Sequence, residues 1–321
     1  MQIAWLAKHF GMMTGVISTA VTVLVSFGIS AYAQTPTSPA PVIAKIQSDL
    51  SAYGDIDLYV FKDRQAFLDI MDRTIGLKNI ANPDSTFAKL PRSPFTITGR
   101  QNGKQIPSCQ IFVPANIAPN SGNEIFAQLM RGWFGPDLTY GSSAELTFEW
   151  LLRHEARHCM PDHYGDVESH GDEVDADIFA FNALSETVAT TELRNGLRAD
   201  IIAFRMITSA IFADNSHMIG LSVKYGLKNT AKSENLTADE EISAFRAARK
   251  LIFERAKARA AGINPTNLEL IGTVSALRAE TKTGALNPGS SRVSEILIDL
   301  DDAIAHLAPR LHASVANLPT D

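Results

Sequence analysis

The segment Arg153-His154-Glu155-Ala156-Arg157-His158 sets two histidines four residues apart, with a glutamate beside the first. On a helix, residues i and i+4 share a face, so His154 and His158 can offer two imidazoles to one ion. Glu155 borders that face, within reach of a water on the metal. A catalytic zinc takes three protein ligands and keeps one position for water. Zinc lowers the pKa of that water, and a carboxylate can accept its proton. The expected cofactor is therefore zinc and the expected base is Glu155. An H-E-x-x-H string alone is a weak signal, so the third ligand decides the matter.

Downstream, Glu173-Val174-Asp175-Ala176-Asp177 opens a second helical stretch. Glu173 and Asp177 are again i and i+4. Glu173 can complete a zinc site, and Asp177 can accept from the far nitrogen of a ligand histidine, fixing its tautomer. The loop between holds rival ligands, His163 and His170. Cys159 follows His158 but points about 100° away around a helix. Other arrangements stay open. The histidines can be ordinary buried residues paired to carboxylates. The acid-rich stretch 162–175 can be a solvated face or a weak calcium site, although it lacks EF-hand spacing.

H-E-x-x-H followed by E-x-x-x-D on a second helix resembles the gluzincin zinc metallopeptidases. The run Glu173-Val-Asp-Ala-Asp-Ile-Phe-Ala180 is similar to the E-x-E-A-D-x-x-A pattern of HtpX-like peptidases, with Asp175 where the pattern has Glu. The likeness runs from Ser142 to about Leu184. It implies a zincin-like core, with His154, His158 and Glu173 as zinc ligands. It implies Glu155 as general base and later proton donor, with Asp177 behind the ligands. The activity implied is hydrolysis of a peptide or protein substrate. Such chemistry wants a donor for the oxyanion. Tyr164 and His217 are the expected donors, and Tyr140 and Tyr225 are further candidates. The metzincin extension, with Gly three and His six positions past the second histidine, is absent, since Pro161 and Tyr164 stand there.

These residues need two helices to position them. Ser142 with Glu145 forms a capping-box pattern, and Leu146, Trp150, Leu151 and Leu152 give an apolar face. A helix over Ser142–Cys159 follows, ended by Pro161. The second helix starts near Asp172 and passes Leu184. Ahead of them, Ile56–Phe61 is a strand and Asp63–Ile75 a helix. Phe95–Thr98 and Ile106–Val113 are strands around Asn102-Gly103, a hairpin signal. Beyond Glu186, helices are expected over Thr191–Ala213, Thr237–Ala261, Asn267–Lys282 and Ser291–Ala316, the last breaking at Pro309. The expected class is α+β, a small mixed sheet packed on the active-site helix, with a helical C-terminal portion. Its divisions are a linker over 34–48, a core over 49–188 and helices over 189–321. Trp133, Phe134 and Trp150 read as core. The basic run from Lys250 to Arg259 reads as a solvated face.

Composition agrees with a folded, exported chain. Of 321 residues, 45% are apolar and 20% charged, which excludes disorder. A net charge of -6 without a long basic run excludes a nucleic-acid binder. Lys8, an uncharged stretch from Phe10 to Ile29 and Ala31-Tyr32-Ala33 describe a signal peptide over 1–33. An uncleaved N-terminal anchor is the other arrangement, and would be the sole membrane contact. Both imply a periplasmic or secreted protein. In that compartment Cys109 and Cys159 can form a disulfide, two buried thiols being the alternative. The function expected is an exported zinc metallopeptidase. The alternative is a non-catalytic, zinc-stabilised envelope protein that binds a partner through its C-terminal helices.

Overall fold

The computed structural model describes residues 40–51, 56–80, 82–87, 93–101, 104–114, 126–127, 129–131, 133–135, 137–160, 169–211, 214–229, 236–260 and 264–316. The expected leader over 1–33 lies outside them. The chain opens with α1 (Ala40–Leu50), β1 (Ile56–Phe61), α2 (Arg64–Thr74), a 3-10 turn (Leu77–Asn79) and α3 (Pro83–Thr86). Next come β2 (Phe95–Gln101), β3 (Lys104–Pro114), α4 (Ala144–Arg157) and α5 (His170–Ser185). The remainder is helical: α6 (Thr191–Ile211), α7 (Gly220–Leu227), α8 (Ala238–Arg259), α9 (Asn267–Thr283), α10 (Ser291–Leu307) and α11 (Pro309–Val315). The class is α+β, mostly helical with one small mixed sheet. Among the described residues, no helix is long and apolar enough to cross a membrane.

The sheet order is β1-β3-β2. β1 runs parallel to β3, with Ile56 opposite Cys109 and Phe61 opposite Pro114. β2 runs antiparallel to β3, and Gln101 pairs with Lys104, so two residues connect them. That is the register the Asn-Gly pair implies; Asn102 and Gly103 themselves lie outside the described residues. Side chains on β3 alternate between two cores, as the period of two requires. Ile111 and Val113 face α1 and α4, meeting Ile46, Leu50, Phe148 and Leu152. Phe112 faces α2, meeting Phe67, Met71 and Phe87. The sheet is thus covered on both faces.

Residues 40–48 are a correction. They form α1, not linker. Pro41 sits in the first turn, where its missing N–H costs no helical bond. Ile43, Ile46 and Leu50 then fall on one face and bury against the sheet.

α4 is the shared wall of the molecule. Phe148, Leu152 and Ala156 pack on the sheet, while Trp150 and Leu151 pack into the large helical core. Phe148, Trp150 and Leu152 have no exposure. Each is worth about 1.5–3 kcal/mol of apolar transfer. A helix buried on two sides has little freedom to shift or roll, and α4 carries the two histidines. Its start is fixed from α6. Asp200 accepts from the N–H groups of Gly141 and Ser142 at 2.9 and 3.0 Å, and from His306 Nε2 at 2.7 Å. Gly196 permits this approach: a Cβ there would stand 2.8 Å from the Gly141 carbonyl oxygen. One helical core draws on buried residues between Phe126 and Ala308, Trp133 and Phe134 among them.

Candidate metal centre

Ser143, one residue past the expected cap, is the N-cap of α4 and accepts from Leu146 N–H at 3.0 Å. Ser142 is instead taken by Asp200. The helix ends at Arg157, and His158 is its C-cap with φ -60 and ψ -16. Those angles are still helical, so His158 keeps the i+4 relation to His154. The two Nε2 atoms lie 3.2 Å apart, and the rings meet edge to face at 85°. Both histidines are buried.

α5 approaches from the side. Ser169 caps it by accepting from Asp172 N–H at 3.1 Å, so Glu173 falls in the first turn. Glu173 Oε2 lies 3.2 Å from His154 Nε2 and 3.9 Å from His158 Nε2. One turn on, Asp177 Oδ1 accepts from His154 Nδ1 at 2.8 Å. The i and i+4 acids therefore do separate jobs on one face. Asp177 also receives two bonds from Arg205 of α6, Nε to Oδ2 and Nη2 to Oδ1, both at 2.7 Å. The Arg205 guanidinium lies 5.1 Å from the Trp150 ring centroid. His154 is thus oriented by a carboxylate that is itself held by a buried cation.

Charge follows from this packing. Burial alone would lower the His154 imidazole, but Asp177 and Glu173 outweigh it and lift His154 to about 9. Burial would raise Asp177, yet Arg205 and His154 hold it below its ordinary value. Glu173 is likewise driven well below the usual range, its burial outweighed by His217, His154 and His158. Burial pushes Glu155 upward, against the opposing pull of His154, Thr96 and His217. A raised carboxylate beside a candidate metal site is suited to take and return a proton. The Thr96 hydroxyl donates to the Glu155 carbonyl at 2.8 Å, tying β2 to the last turn of α4.

His154, His158 and Glu173 each offer one atom to a group whose members lie within 4.8 Å of one another, so the cluster can hold a metal ion. The buried Glu173 Oε2 has no hydrogen-bond partner among the described residues, although His154 Nε2 stands 3.2 Å away. Tetrahedral zinc with bonds of about 2.0–2.1 Å separates its ligand atoms by roughly 3.3 Å. Two of the three separations here are 3.2 Å and the third is 3.9 Å. Two imidazoles with one carboxylate suit zinc, whereas calcium asks for six or more oxygens.

His217 is the fourth group at this place. Its Nε2 lies 3.6 Å from Glu173 Oε2, and its Nδ1 donates to Asp214 Oδ2 at 2.9 Å. The side chain is 25% exposed, against 4% for Glu173, so His217 stands at the solvent edge. Burial would lower its pKa, but Glu173 and Asp214 raise it.

The other expected residues divide. Tyr164 and His163 lie outside the described residues. His170 is not at the cluster; it pairs with Glu241 Oε2 at 2.8 Å. The Tyr140 hydroxyl is buried near Asp200, and Tyr225 donates to Glu295 at 2.6 Å. Cys159 is disulfide-bonded and so offers no thiolate to a metal. Cys109, the only other cysteine of the chain, lies in β3. Arg205 and Asp214 went unnoticed in the sequence. Arg205 had one signal, a charge between Phe204 and Met206 on the buried stripe of α6. Comparison with family models, curated proteins and solved structures finds no match for this chain.

Proposed function

We propose that this chain is an exported zinc metallopeptidase with a zincin-like core. The observation that carries it is the convergence of His154 Nε2, His158 Nε2 and Glu173 Oε2 beside Glu155, with His154 backed by Asp177 and Arg205. When bound, zinc would acidify a water and polarise the scissile carbonyl. Glu155 would accept a proton from the attacking water and pass it to the leaving amine. His217, its imidazole steadied by Asp214, would donate to the developing oxyanion from the exposed edge. Asp177 keeps the His154 proton on Nδ1, so that Nε2 presents its lone pair.

One observation favours a second reading. His217 Nε2 is 3.6 Å from Glu173 Oε2, with its far nitrogen held by a carboxylate as ligand histidines are. If His217 fills the fourth position, the site is closed and the protein is a zinc-stabilised, non-catalytic envelope component. The two separate on zinc content and peptide hydrolysis. The peptidase reading expects Glu155→Gln to keep zinc and lose activity by about 10²–10⁴-fold. It expects His217→Ala to keep zinc as well. Loss of zinc in His217→Ala, with no hydrolysis in the wild type, establishes the closed site instead.

A further inference from the structure

The loop that carries His217 has a second side. Met218 forms one wall of a cleft of about 320 Å³, whose other walls are Arg246, Arg249, Lys250 and Phe253 of α8. Three of these five residues are cations and none is an acid. Arg246 Nη2 donates to Asn215 Oδ1 at 2.7 Å, which ties α8 to the His217 loop. Arg249 lies 5.7 Å from the Phe253 ring centroid and has no acidic partner among the described residues. Lys250 reaches Glu254 only at 3.9 Å, with both side chains more than 60% exposed, a pair worth little.

Several cations elsewhere in this acidic chain have acidic partners. Arg205 has Asp177, Arg255 has Glu280, Arg278 has Asp301 and Lys224 has Glu295. A concave site with uncompensated positive charge concentrates anions. The guanidinium fork fits a carboxylate in two parallel bonds, and a ring beneath it holds the plane. Beyond Lys250 the basic run goes on along α8 with Arg255, Lys257 and Arg259, but Glu254 interrupts it and Arg255 is paired to Glu280, while Asp239, Glu240 and Glu241 precede Arg246. Within the cleft, the guanidinium forks beside Phe253 suit a carboxylate.

We propose that the Arg246–Arg249–Lys250 cleft binds an acidic side chain of the substrate, making this protein selective for acidic peptides. This rests on the peptidase reading. His217 and Met218 are consecutive, so their Cα atoms are about 3.8 Å apart. An extended peptide advances about 3.3 Å per residue, so an acidic residue a few positions from the scissile bond can reach the cleft.

The test uses the zinc-loaded protein and peptide pairs that differ only by Glu or Gln at each position flanking the cleaved bond. At one position kcat/KM should favour Glu by about two- to fivefold, the size of one partly exposed charge contact. Arg249→Gln should bring that ratio close to one. Arg249→Glu should reverse it toward the matching Lys peptide, with circular dichroism confirming the fold. Binding of the same pairs to Glu155→Gln, read by fluorescence anisotropy, should show the same order. Equal cleavage of every pair, or a preference unmoved by Arg249→Glu, overturns the cleft assignment and leaves the peptidase standing. No cleavage of any peptide overturns the peptidase, and the binding ratio then decides the cleft: a Glu preference abolished by Arg249→Glu sustains it, and equal binding ends it.

Discussion

Replacing Arg205 by Met removes the cation on which the Asp177 carboxylate depends. Asp177 has no exposure and Arg205 has 5%, so solvent screens the pair little. Both bonds from the guanidinium, at 2.7 Å, go to that one carboxylate. Breaking such a pair costs about 3–5 kcal/mol, because the surviving charge stays buried and unmatched. Asp177 retains His154 Nδ1 at 2.8 Å, which places the expected loss at the lower end, about 3 kcal/mol. In a large domain that is a fall of roughly 6–12 °C in Tm. Asp177→Asn strands Arg205 in the same way. The double variant strands neither charge, and its amide oxygen still accepts from His154. Its loss should fall short of the sum of the single losses by at least about 1 kcal/mol, whereas unconnected sites add within about 0.5 kcal/mol. The assay is urea unfolding of the metal-free protein, followed by zinc titration. Each single variant should also bind zinc about 10–100-fold more weakly, since the carboxylate behind a ligand histidine sets its orientation. Additive losses, or an unchanged Tm in Arg205→Met, would refute the view that a dry ion pair positions His154.

Three further outcomes are expected. With His154 near 9, the metal-free protein holds a proton there at pH 7, so zinc uptake should release about one proton and tighten as pH rises toward 9. Calorimetry in buffers of different ionisation enthalpy reads this, and proton-neutral uptake counts against it. In the metal-free protein the raised His154 stabilises the fold fully below its unfolded value of 6.5, and that contribution is lost as pH climbs through about 9. Asp177 acts in the opposite sense: its lowered pKa gives stability above 3.8 that disappears as pH falls through the folded value, so unfolding curves at acid, neutral and alkaline pH should show both losses. Cys159→Ala removes the disulfide next to His158 and should cost about 2–4 kcal/mol, read as a lower Tm; identical melting of oxidised and reduced protein contradicts it.

The His154, His158 and Glu173 cluster was legible because helical spacing is local physics. His154 with His158, and Glu173 with Asp177, needed only a period of 3.6 residues and two helices facing each other. The helices of the second half were legible too, since caps mark their starts. Thr237 with Glu240 and Thr266 with Glu269 form capping boxes at the ends of α8 and α9. Pro309 divides α10 from α11 where it was expected to.

What was not legible depends on distant partners. α7 reads Gly-Leu-Ser-Val-Lys-Tyr-Gly-Leu, and its two glycines and a valine disfavour a helix. It forms because Glu241 of α8 accepts from the Leu221 and Ser222 N–H groups at 2.7 and 3.1 Å, a cap supplied from another helix. Gly226 allows close approach to α5: a Cβ there would meet Ile178 Cδ1 at 2.3 Å. Arg205 pairs across 28 positions of sequence, and an arginine on an amphipathic helix is ordinarily exposed. Ser142 lost the cap role to Ser143 because Asp200, 58 positions away, claims its N–H. α1 differs, for Ile43, Ile46 and Leu50 already showed an apolar stripe that the flanking prolines and serines obscured.

Metal analysis of the purified protein beside His158→Ala and Glu173→Ala, after zinc loading and exhaustive dialysis, tests most directly whether His154, His158 and Glu173 hold one zinc ion. One zinc per wild-type chain, lost in both variants while their circular dichroism is kept, is the predicted result. No zinc in the wild type, or full zinc retention in Glu173→Ala, would contradict it.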